Sequence, residues 1–162
     1  MSPKDFRTLT PEEVLLLGIA VEEANGERLR TFAALFADYA PEAATVLSQM
    51  ASEEDQHRCQ LEAMYQQRYG MLQQRLGEEE IREVIEAYDL DEAENLVFDS
   101  FSPRGALETI LAAERQAQAF YRRAVESAVE PELRALYQEL AGFEDLHLKW
   151  AEERLAALGD SA

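Results

Sequence analysis

Apolar residues recur three and four positions apart over four long stretches of the chain, and each stretch opens on a proline. That spacing gathers side chains on one face of an α-helix. Proline suits the first helical position, where its missing N–H costs no hydrogen bond. In LTPEEV, Thr10 is placed to cap, Pro11 to begin and Glu13 to complete a capping box, which predicts a first helix from about Pro11 to Asp38. Pro41 opens a second that runs to about Tyr69, with Gly70 placed to end it. Ser102 and Pro103 open a third to about Ala128, and Pro131 a fourth to about Leu158. From Met71 to Ser102 the apolar stripe weakens into a crossover with short helical segments. The expected fold is all-α: a single domain over residues 1–162, built as a four-helix bundle of two antiparallel hairpins joined by a long crossover.

The hairpins resemble each other. Glu54 and His57 follow Pro41 by 13 and 16 residues, and Glu144 and His147 follow Pro131 by the same intervals. Laying IAVEEANGERLR against ILAAERQAQAFY pairs Glu23 with Glu114, Gly26 with Ala117 and Arg30 with Tyr121, with a one-residue difference assigned to the turn. Duplication of a helical hairpin is the economical explanation.

On these stripes the polar exceptions are few. Leu47, Met50, Glu54, His57, Leu61 and Met64 share one face of the second helix. Leu133, Leu136, Leu140, Glu144, His147, Ala151 and Leu155 share one face of the fourth. The third carries Leu107, Leu111, Glu114, Ala117, Tyr121 and Val125, and the first Leu16, Ala20, Glu23, Gly26, Arg30 and Ala33. Glu53 competes with Glu54, and Glu22 with Glu23; Glu54 and Glu23 are preferred because Phe143 and Ala113 stand at their competitors' counterparts. Four carboxylates and both of the chain's histidines are thus expected in one core.

Such a group cannot be buried uncompensated, because each isolated charge in a low-dielectric interior carries a penalty of at least several kcal/mol. Two divalent cations would balance the four carboxylates, with neutral imidazoles as further ligands. An oxygen-rich mixed shell suits iron, with manganese as the alternative. One Glu from each of two helices and Glu-x-x-His from each of the other two is the known donor set of di-iron and di-manganese bundles.

The net charge of −18 and the sequence pI of about 4.4 argue against nucleic acid or an anionic membrane as partner, and for attraction of cations. The lone Cys59 cannot form an internal disulfide. No secretory signal or membrane-spanning run is visible, so a cytoplasmic location without membrane insertion is expected.

At these residues the chain resembles the ferritin-like di-iron superfamily. The E-x-x-G of Glu23 to Gly26 and the E-x-x-A-x-x-F-Y of Glu114 to Tyr121 are similar to its rubrerythrin and erythrin branch. The resemblance implies that Glu54 and Glu144 bridge two iron ions, that Glu23 and Glu114 are terminal ligands, and that His57 and His147 each bind one ion. It also implies oxidation of Fe(II) with oxygen or peroxide, of ferroxidase or peroxide-detoxifying type. A hydroxylase of an organic substrate and a non-enzymatic iron-buffering bundle are the rivals. Tyr121 and Arg30 are carried as candidate catalytic residues, Arg30 either pairing with a carboxylate near the metals or extending its head to solvent. The chain departs from rubrerythrins proper in having no paired cysteines for a rubredoxin module. It has Ala117 where many of them place an extra Glu, and Asp55 where a haem-binding Met would stand. A homodimer is expected, because ferritin-like hairpins commonly pair.

Overall fold

The computed structural model describes residues 6–72 and 102–158. The crossover's expected short helices fall within residues 73–101, outside the described residues. A 3-10 turn at Phe6–Thr8 precedes four α-helices: α1 (Pro11–Phe36), α2 (Pro41–Tyr69), α3 (Pro103–Ser127) and α4 (Pro131–Leu158). No strand occurs among the described residues, and the architecture is an all-α, ferritin-like four-helix bundle. Helix α1 packs most closely on α2, α3 on α4, and α1 also touches α3.

The helix starts follow local chemistry. Thr10 Oγ1 accepts from the Glu13 N–H at 3.1 Å, and Glu13 Oε1 accepts from the Thr10 N–H at 3.1 Å, so two of the donors orphaned at a helix start are satisfied reciprocally. Ser102 Oγ accepts from the Gly105 N–H at 3.1 Å. Helix α2 stops at Gly70, whose φ of 85° is the left-handed conformation that glycine adopts without a Cβ clash. Helix α1 ends two residues before the expected Asp38, as residues 37–40 make the turn into α2.

The apolar core has two parts. One gathers Leu15, Leu61, Phe120, Tyr121, Leu136, Tyr137 and Leu140; the other gathers Leu29, Phe32, Phe36, Leu47, Met50, Leu107 and Ile110. In every helix the buried acid lies between the residues given to one part and those given to the other. The two apolar layers therefore clamp a polar one. Truncating a fully buried member such as Phe32 to Ala is a change of the class that costs about 3–5 kcal/mol.

Helix α1 buries Leu15, Gly18, Glu22, Asn25, Leu29, Phe32 and Phe36, a seam of alternating three- and four-residue steps. At Gly18 an added Cβ would come within 3.2 Å of Leu61 Cδ1, so this glycine lets α1 and α2 approach closely beside the polar layer. The seam is rotated by one residue from the expected stripe through Glu23 and Arg30.

Candidate metal centre

Glu22, Glu54, Glu114 and Glu144 are at most 1% exposed, and His57 and His147 are 3% exposed. They come from all four helices and meet in the polar layer. Their donor atoms form two overlapping groups: Glu22, Glu54, His57 and Glu144 in one, Glu54, Glu114, Glu144 and His147 in the other. Within each group one donor atom per residue lies within 4.8 Å of every other. Glu54 and Glu144 belong to both, one from each Glu-x-x-His motif.

Many of these atoms have no hydrogen-bond partner: Glu22 Oε2, both carboxylate oxygens of Glu54 and of Glu144, Glu114 Oε2, and Nδ1 of each histidine. Nδ1 of His147 lies 3.1 Å from Glu54 and 3.5 Å from Glu114. Nδ1 of His57 lies 3.7 Å from Glu54 and 3.8 Å from Glu22. Buried polar atoms are nearly always paired, and a cation would satisfy convergent acceptors of this kind. The residues therefore fit a metal pair.

Protonation reflects the crowding. Burial, followed by repulsion from Glu54 and Glu114, pushes the Glu22 carboxyl well up. Burial, followed by Glu114 and then Glu54, does the same to Glu144. Burial alone would lower the His147 imidazole, but the carboxylates of Glu114 and Glu54 beside its Nδ1 push it up to about 11. Burial and the nearby Glu22 raise the Tyr121 phenol well above its ordinary value.

The structure brings together five of the six expected ligand positions, Glu54, His57, Glu114, Glu144 and His147, and places Glu22 with them in place of Glu23. Glu23 is partly buried and belongs to neither group. The reason lies in hairpin length. Pro41 follows Glu22 by 19 positions, but Pro131 follows Glu114 by 17. The first hairpin has one extra residue in its helix and one in its turn, whereas the sequence pairing through Glu23 accounts only for one in the turn. In the observed register Tyr121 matches Leu29, not Arg30. Arg30 points outward, its side chain 46% exposed, and pairs with Asp55 on the surface at 3.0 Å. It is no part of the site. Tyr121 is: its buried hydroxyl donates to Glu22 Oε1 at 2.5 Å. The α1 seam through Leu15, Leu29, Phe32 and Phe36, uninterrupted by an exposed charge, was the signal that singles out Glu22.

The family described as Rubrerythrin matches residues 13–158, nearly the whole chain and all six residues of the cluster. The chain belongs to the rubrerythrin family. Rubrerythrins are a ferritin-like di-iron family, whose chemistry in general is that of oxidoreductases acting on iron with oxygen or peroxide. No curated protein and no solved structure matches the chain. As a rubrerythrin-family bundle it carries a single, exposed cysteine, Cys59, and no rubredoxin module is evident. No helix among the described residues is long and apolar enough to cross a membrane.

Proposed function

We propose that this protein is a di-iron oxidoreductase that oxidises Fe(II) with oxygen or peroxide. The observation that carries the reading is the pair of overlapping donor groups sharing Glu54 and Glu144 in a sealed layer. Glu54 and Glu144 would span both ions, Glu22 and Glu114 would each hold one ion from the side, and His57 and His147 would supply one nitrogen each. Bound iron supplies the paired one-electron changes that a two-electron reduction of oxygen or peroxide requires. The chain supplies position and proton control. Burial and neighbouring carboxylates make Glu22 and Glu144 hold protons more tightly than free glutamates in the metal-free layer, and because ligands must be deprotonated, loading favours release of any they hold. Tyr121 donates to Oε1 of Glu22, which leaves Oε2, an atom with no hydrogen-bond partner, as the free donor. The flanking apolar layers limit water, so charge developed among these groups is poorly screened.

Among the described residues, a cavity between the starts of α1 and α4, lined by Leu9, Val14, Leu133 and Tyr137 and their neighbours, lies apart from the cluster. Stopped-flow mixing of Fe(II)-loaded protein with oxygen or peroxide tests the proposal. The near-ultraviolet absorbance of oxidised iron should rise faster than for free Fe(II) under the same conditions. Binding without accelerated oxidation would make the protein an iron buffer.

A further inference from the structure

The two imidazoles of the cluster are held in different ways. His147 turns Nδ1 toward Glu54 at 3.1 Å, while its Nε2 lies 2.7 Å from Glu53 Oε2. His57 turns Nδ1 toward Glu22 and Glu54, and its ring packs on Phe143 with centroids 4.6 Å apart. Glu53 precedes Glu54, and Phe143 precedes Glu144. The same position in each motif thus reaches across the bundle to the other motif's histidine. One of these crossing residues is a carboxylate at hydrogen-bond distance; the other is a phenyl ring.

We infer that the two metal positions fill in order, the one served by His147 first, and that Glu53 is the positioning residue that sets the order. This rests on the cluster being a two-metal site. When Nε2–H donates to Glu53, the lone pair of Nδ1 is directed at the cation, the ring plane is fixed, and the imidazole becomes a stronger donor. Phe143 packs against His57 but accepts no N–H in this way, so His57 must settle its tautomer and orientation as it binds. The Tyr121 hydrogen bond acts in the same direction. It engages one oxygen of Glu22, which belongs to the His57 group alone, and draws electron density from that carboxylate.

The test is an anaerobic Co(II) titration of the metal-free full chain, followed by calorimetry and visible absorbance. Two resolved steps are expected, with His147→Ala removing the tighter and His57→Ala the weaker. Glu53→Ala should weaken the tighter step by about 10- to 100-fold, the usual effect of losing such an outer partner, and leave the weaker step unchanged. Glu53→Gln, whose amide oxygen accepts the same bond, should recover part of the loss. Phe143→Glu should strengthen the weaker step. The Nε2–H of His147, shifted by Co(II) in the NMR spectrum, should exchange slowly with water in the wild type and quickly in Glu53→Ala. A merely structural role for Glu53 would not produce that contrast at unchanged helical circular dichroism. Two equal steps in the wild type, or a Glu53→Ala effect shared by both steps, would overturn the ordered filling and leave the two-metal site standing. No Co(II) binding at all would overturn both.

Discussion

Adding Mn(II) to the metal-free protein is expected to raise its melting temperature, and to raise it more at pH 8 than at pH 5.5. Burial and neighbouring carboxylates push Glu22 and Glu144 up. Against its burial, His147 is pushed up to about 11 by Glu114 and Glu54. The folded chain therefore keeps protons that the unfolded chain has released. Stability from such a group is fully present below its unfolded pKa and is lost as pH rises through its folded one. The window opens at about 4.3 for the glutamates and about 6.5 for the histidine, and for His147 it extends to about 11. Within it, each such group removes about 1.4 kcal/mol per pH unit, or roughly 3–6 °C of melting temperature in a domain of this size. A cation takes the place of these protons. At a free concentration one hundred times its Kd it stabilises the folded chain by about 2.7 kcal/mol per site, which corresponds to roughly 5–11 °C. Thermal melts with and without Mn(II) at the two pH values measure both effects. A melting temperature indifferent to Mn(II) at both, or metal-free protein that gains stability between them, would refute the reasoning.

Glu54→Ala and Glu144→Ala should each abolish paired binding, because each belongs to both donor groups, whereas His57→Ala and His147→Ala should each weaken mainly one ion; metal titration that found the same residual stoichiometry in all four would reject these roles. Glu22→Ala should lose bound metal, while Glu23→Ala should retain it, as elemental analysis after loading would register. Tyr121→Phe should destabilise the metal-free protein by about 1–3 kcal/mol, since a buried carboxyl loses its donor, measured by denaturant unfolding. Arg30→Ala should change stability by no more than about 1 kcal/mol, the range for an exposed ion pair, and leave metal stoichiometry as it is.

The helix starts were legible because proline and its caps act locally, and both Glu-x-x-His motifs were legible because three-residue spacing on an apolar stripe survives any error in the neighbouring turn. The first helix was harder. Glu22 and Glu23 are adjacent, and which one faces inward depends on the helix phase, which an alignment through the turn sets wrongly when helix and turn each differ by a residue. Arg30 marked the error. A stripe that places a guanidinium beside Gly26 and Ala33 is a weaker seam than one running through Leu29, Phe32 and Phe36. Glu53 was not readable as a partner of His147 at all, because that contact joins α2 to α4 and depends on how the hairpins cross, a property of packing and not of either motif.

The near-repeat of the hairpins bears on what a single chain permits. Two identical hairpins associating as separate chains would bring equivalent donors together about a two-fold axis, but residue 53 of one and its counterpart in the other would then be the same amino acid. Any change that suited one imidazole would be imposed on both. Joining the halves removes that restraint: Glu53 faces His147 while Phe143 faces His57, and Tyr121 reaches Glu22 from a position whose equivalent in α1 is Leu29. Covalent linkage has turned a symmetric cage into one with a left and a right side.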